Sequence, residues 1–155
     1  MQSRLLSGGL AGLMAGVVFG VMMQMMNVPT PQGGQMPMMA MVAMVVGSSS
    51  PAIGWIYHLF NSVVIGAIFG WLIGNRALSA GNGLGWGVLY GVAWWILGAQ
   101  ILMPVALGMS PFAPIMMAPI RMVAMGSLIG HMIYGLVLGG LVAVFSARLA
   151  RPVAR

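Results

Sequence analysis

Residues Leu5–Met26 read LLSGGLAGLMAGVVFGVMMQMM, a run with no charge and a single glutamine. A helix rises about 1.5 Å per residue, and roughly 20 apolar residues cross the ~30 Å hydrocarbon core of a bilayer. This stretch is therefore long enough to span. Stretches of the same character follow near Ala52–Gly74, Gly83–Leu107 and Ser127–Ala147. Together they predict an all-α integral membrane protein with four transmembrane helices, a single transmembrane domain over residues 1–155. Arg4 ahead of an apolar run resembles the start of a signal peptide. The run outlasts a secretory core and no A-x-A-like site ends it, so it is read as an anchor.

Composition agrees. The chain is 61% apolar and 4% charged, whereas a soluble surface needs far more charge. Asp and Glu are absent, so the arginines have no carboxylate partner in the chain. Their places at the ends of apolar segments indicate membrane topology rather than nucleic-acid binding. Without carboxylates, acid–base hydrolysis, Mg²⁺ chemistry and carboxylate-ligated metals lack their groups. Without cysteine there is no disulfide framework, thiolate nucleophile or Cys-type zinc site. No phosphate loop or dinucleotide motif occurs, and the chain is expected not to be an enzyme.

Alternating the four helices puts Arg4, Arg76, Arg148, Arg151 and Arg155 on one side and Arg121 on the other. By the positive-inside rule both termini, the tail 148–155 and the short Asn75–Asn82 turn are cytoplasmic. The expected location is a bacterial cytoplasmic (inner) membrane, multi-pass, with the lipid bilayer as partner. Two connections then lie outside. Asn27–Pro51 contains the apolar run Met38–Val46, and Gly108–Gly126 contains Pro114–Met125. Both runs are too short to cross and suit half-helices, re-entrant or interfacial.

The halves resemble one another. Aligning Met38–Val45 with Met116–Val123 matches five of eight positions, and nearby registers pair His58 with His131, Gly66 with Gly139, and Gln24 with Gln100. This predicts two tandem helix–half-helix–helix repeats, about 5–74 and 83–147, related by an axis along the membrane normal. Glycines four apart share a helix face. Gly8, Gly12, Gly16 and Gly20 form one ladder, Gly66, Gly70 and Gly74 a second, and Gly83, Gly87 and Gly91 a third, with the pairs Gly126/Gly130 and Gly135/Gly139 on the last helix. Such faces let backbones approach closely in lipid.

Ionisable groups within spans are costly and merit a functional reading. His58 and His131 would hold haem b or copper through imidazole nitrogen, with Arg121 meeting a haem propionate. Alternatively each histidine bonds a carbonyl or a hydroxyl inside the bundle. Methionines concentrate at the outer end of the first helix, from Met22 to Met39; thioethers are soft Cu(I) ligands and equally flexible core filler. Gln24, Gln100 and Asn61 would line a polar path or bond between helices. Trp94 and Trp95 lie mid-helix and would face a partner or a hydrophobic ligand.

The segment Gly126–Gly139, with His131-x-x-Tyr134-Gly135-x-x-x-Gly139, resembles a pattern that opens a helix in small uncharacterised bacterial integral membrane proteins. The resemblance covers about a tenth of the chain and implies no activity. Three functions follow as expectations. The first is an accessory or structural subunit acting through helix packing, with other membrane subunits or a second copy as partner. The second is a His58/His131 haem or copper protein with a role in electron transfer or metal handling. The third is a small channel or transporter for a neutral or anionic solute.

Overall fold

The computed structural model describes residues 2–30, 33–77 and 79–149. The side chain of Arg148, and Arg151 and Arg155, on which the cytoplasmic tail was read, lie outside the described residues. Four helices are long and apolar enough to cross a membrane: Gln2–Gln24, Pro51–Ile73, Ala80–Ala106 and Ala118–Ser146. The element order is α1 (Gln2–Gln24), β1 (Asn27–Pro29), β2 (Gln35–Pro37), α2 (Met38–Met44), α3 (Pro51–Ile73), α4 (Ala80–Trp94), a π-helical segment (Trp95–Leu102), α5 (Met103–Ala106), α6 (Ala113–Met116) and α7 (Ala118–Leu149).

Small residues decide which helices touch. α1 packs closely on α3 and α4 on α7, and α1 against α7 joins the two pairs. At the first crossing a Cβ added to Gly12 would meet the carbonyl of Ser62 and the Cα of Gly66, and one added to Gly8 would meet the Gly66 carbonyl and Gly70. At the second, Gly83, Gly87 and Gly91 lie against the carbonyls of Gly139, Gly135 and His131. The numbering runs in opposite senses within each pair, so both are antiparallel. Only glycine permits such backbone contact, which replaces the hydrophobic drive that lipid cannot supply. Not every ladder position serves this purpose. Gly16 meets the Ser62 side chain, Gly20 the indole of Trp55, Gly130 the ring of Phe19 and Gly126 the Met26 side chain. Gly74 caps α3 beside Arg4 instead of facing a partner helix.

Three expectations are corrected. The chain is not all-α: after α1, β1 and β2 form a small antiparallel hairpin whose turn uses Gly33 at φ +84°. The run Met38–Val46 does contain a short helix, α2, and its Met39 carbonyl packs on Gly54 of α3. The second proposed half-helix, Pro114–Met125, is not a separate element. α6 is one turn, and after Met117 the chain enters α7 at Ala118 and stays helical to Leu149. Pro119 falls in the first turn of α7, where a missing N–H costs nothing, and no later residue breaks the helix. His131 is thus well inside a long helix, thirteen residues beyond Ala118, rather than near its start.

The third span is not a uniform α-helix. Pro104 has no N–H to offer the carbonyl of Gln100, four residues earlier, and its ring crowds that carbonyl. The chain meets this by widening to π geometry from Trp95 to Leu102. The freed Gln100 carbonyl accepts the N–H of Phe112 at 2.6 Å. Phe112 itself adopts φ +64°, a left-handed conformation uncommon outside glycine.

Candidate functional site

Two tightly packed helix pairs joined through α1 and α7 leave α3 and the third span facing one another across a gap. Side chains close its lower end. The Tyr90 hydroxyl donates to the Ile65 carbonyl at 2.8 Å, and the Tyr134 hydroxyl donates to the Ser62 carbonyl at 2.8 Å. Phe69, fully buried, stacks edge-on to Tyr90 with centroids 5.0 Å apart. Toward the hairpin end the gap opens into a cavity of about 530 Å³. α2 and the hairpin contribute Val28, Met38, Met41 and Val42 to its wall, and the far side includes Met103, Pro104 and Met109. The wall is mostly apolar, with polar groups at a few points, the composition of a small-molecule site.

The polar groups are specific. His58, on α3, hydrogen-bonds through Nε2 to the Gly16 carbonyl of α1 at 2.8 Å. His131, on α7, bonds through Nδ1 to the Ser127 carbonyl of its own helix at 2.8 Å. A carbonyl can only accept, so each of these nitrogens carries its proton. Both imidazoles pack edge-on to Phe19, with centroids 5.6 Å away for His58 and 4.8 Å for His131. Both belong to the cavity wall. The Ser62 hydroxyl is committed to the His58 carbonyl. Asn61 lines the cavity half-buried.

Gln100 is the exception to polar satisfaction. It belongs to the cavity wall, from within the π segment, and is fully buried; among the described residues neither its Oε1 nor its Nε2 has a partner. An unpartnered buried polar group costs about 1–3 kcal/mol. Such costs in natural proteins, like π-helical turns, concentrate at functional places.

The structure therefore brings His58, His131, Gln100 and Asn61 to one cavity and separates Arg121 and Gln24 from it. Arg121 donates from Nε to the Ile115 carbonyl at 2.9 Å and from Nη2 to the Met116 carbonyl at 3.2 Å, tying α6 to α7. Gln24 accepts from Trp55 Nε1 at 2.8 Å. The proposed equivalence of the halves fails at these side chains: Gln24 is bonded and Gln100 is not, and the two histidines use acceptors in different helices. Trp94 lines the cavity, whereas Trp95 is anchored by its Nε1 to the Ala124 carbonyl at 3.0 Å. Among the described residues no three His, Cys, Asp or Glu side chains cluster as a metal site would require.

Sequence reasoning named the histidines, Gln100 and Asn61, and Tyr134 within the His131-x-x-Tyr134-Gly135 pattern, but missed the cavity and Phe19. Pro104 was the available signal, since a proline within a span frees a carbonyl and distorts the helix around it. Comparison with protein-family models, curated proteins and solved structures finds no match.

Proposed function

We propose that this is a non-enzymatic binding protein of a bacterial cytoplasmic membrane that holds an uncharged lipophilic molecule in the cavity between α3 and the third span. The orphaned amide of Gln100, buried at an apolar cavity, carries this reading. No hydrogen bond among the described residues offsets its cost, and a polar group on an occupant that reached it would. An uncharged occupant is implied because no carboxylate exists in the chain to pair a cation, and Arg121, the arginine at the hairpin end, is engaged with backbone carbonyls.

The test is native mass spectrometry of the protein purified in mild detergent, with Ala99→Phe, which adds a ring to the cavity wall, as comparison. The expected result is one small neutral molecule retained per chain and lost in the variant. If the native chain arrives empty and takes up no added lipophile, the proposal fails.

The positive-inside distribution supports cytoplasmic termini and places the hairpin end outside. As the chain has no cysteine, single replacements label uniquely. Ser49→Cys should react with an impermeant maleimide on intact cells and Asn82→Cys only after permeabilisation; the reverse pattern inverts the topology.

A second reading, haem b or copper held by His58 and His131, is favoured by the two imidazole nitrogens left without a backbone partner. It asks Phe19 to leave the space beside both rings, and a Soret band or stoichiometric copper in the purified protein would establish it. The accessory-subunit reading draws its support from the hairpin end, where Met116 and Met122 are 70% and 79% exposed. The glycine ladders do not support it, because their closest contacts are consumed inside the chain. A channel would need a path past the Tyr90 and Tyr134 hydrogen bonds.

A further inference from the structure

The hydrogen-bonding capacity left around the cavity specifies the ligand's head group. This inference rests on the lipophile-binding reading above and deepens it. His58 spends its Nε2 proton on Gly16 and His131 its Nδ1 proton on Ser127. What remains on each neutral ring, Nδ1 of His58 and Nε2 of His131, is an acceptor with no donor of its own. Two neighbouring hydroxyls are already committed, and that of Ser127 lies 3.4 Å from Nδ1 of His131, the nitrogen that carries the proton. Ser62 and Tyr134 have already donated to the carbonyls of His58 and Ser62. The Gln100 amide adds one acceptor and a donating NH₂. The half-buried Asn61 at the cavity wall adds a second amide. The free set thus holds two imidazole acceptors, fixed in that sense by backbone bonds that the fold imposes, beside amides that can donate or accept.

We infer that the occupant is a lipid-soluble alcohol or phenol. Its hydroxyl donates to an unused imidazole nitrogen of His58 or His131 and accepts from the Gln100 amide. Its apolar body rests among the methionines and against Phe19. A ketone, ester or ether of the same shape can accept from an amide NH₂ but leaves the imidazole nitrogens unmet. A site built for a hydroxyl discriminates strongly against analogues that lack it, because its own polar groups are then stranded. Flexible methionine side chains adapt to the body without specifying it, so selectivity resides in the head group.

Two substitutions separate this role from a structural one. The side-chain amide of glutamine reproduces the position of histidine Nε2 and that of asparagine the position of Nδ1. His58→Gln therefore keeps the bond to Gly16, and His131→Asn keeps the bond to Ser127, while each replaces the free ring acceptor by an amide oxygen in a different position. The probes are para-nonylphenol against its methyl ether and farnesol against its methyl ether, which distinguish an aryl from an alkyl alcohol. Binding to the full chain in lipid nanodiscs is followed by quenching of tryptophan fluorescence.

The expected result is a preference of roughly three- to tenfold for the alcohol over the ether in at least one pair, the worth of about one hydrogen bond. That preference should collapse toward unity in one or both variants through weaker alcohol binding. Ether binding also reports that a variant is folded; where it is lost, the preference of the native chain alone decides. Equal binding of alcohol and ether by the native chain, in both pairs, overturns the head-group assignment and leaves lipophile binding standing. Binding of neither overturns both.

Discussion

Two glycines on α4, two residues apart, should respond in opposite directions to the same substitution. A Cβ added to Gly85 meets nothing within 4 Å, so Gly85→Ala only removes the conformational penalty of glycine in a helix, a gain of about 0.5–1 kcal/mol. A Cβ added to Gly87 falls on the Gly135 carbonyl, 2.8 Å from its carbon and 3.2 Å from the Cα of Gly139. Carbon atoms rest at about 3.5–4.0 Å, and the obstructing atoms are backbone that no rotamer change can clear. The helices must part by about 1 Å. Gly83 and Gly91 lie on the same seam, so a displacement there loosens their contacts too, and a gap of that size forfeits a quarter to a half of each pair's dispersion energy. Overpacking of this kind costs about 1–3 kcal/mol. The two variants should therefore differ by about 2–4 kcal/mol, roughly a 30- to several-hundred-fold ratio in their unfolding constants. Unfolding in mixed micelles of increasing dodecyl sulfate fraction, followed by circular dichroism, measures this. Equal midpoints, or a more stable Gly87→Ala, would refute the backbone-contact account of the α4–α7 crossing.

Three further outcomes are expected. Gln100→Leu should raise the stability of the ligand-free protein by about 1–3 kcal/mol, because it removes an orphaned buried amide; a lower dodecyl sulfate midpoint would mean the amide has a partner. Pro104→Ala restores an N–H that competes with Phe112 for the Gln100 carbonyl, so the Phe112 amide should exchange faster with deuterium, and unchanged protection over residues 108–116 would sink the proline explanation of the π segment. Tyr134→Phe withdraws the hydroxyl from the Ser62 carbonyl and should cost about 0.5–1.5 kcal/mol, read in the same unfolding assay; an unaltered midpoint would deny that this bond holds α7 to α3.

The number and approximate limits of the spans were legible because length and hydropathy alone determine them. Leu5–Met26 and Ala52–Gly74 differ from α1 and α3 only by a few terminal residues. Glycine spacing was legible as contact, but spacing cannot say which ladder meets which, and Gly74 and Gly20 show that membership of a ladder does not guarantee a backbone partner. The second half-helix was separated from the last span at Gly126, whereas α7 runs on through Arg121 and Gly126, with Pro119 in its first turn, the place where proline is tolerated. The histidines were identified by their cost in lipid. Phe19 was not, since it is an ordinary span residue until the α1–α7 contact brings it beside the imidazoles.

The cavity follows from an economy in the use of small residues. Glycine seams draw α1 onto α3 and α4 onto α7, and these contacts leave α3 and the third span without a matching seam. The π segment brings Gly98 and Ala99 to the gap, but the larger Trp94, Gln100, Leu102 and Met103 line it beside them. Pro104 then makes the outcome durable. With the Gln100 carbonyl held by Phe112, the segment cannot relax to a plain α-helix without breaking that bond and shifting the chain between α5 and α6. The register of Gln100 in the cavity wall is thereby set by covalent geometry, not by contacts a ligand must create. A preset polar group costs stability in the empty protein and spares the ligand the ordering entropy that would otherwise weaken its binding. Gln100→Leu should therefore separate the two effects, giving a protein that is harder to unfold and poorer at holding a lipid alcohol, and a variant improved or impaired in both would contradict the assignment of Gln100 to binding.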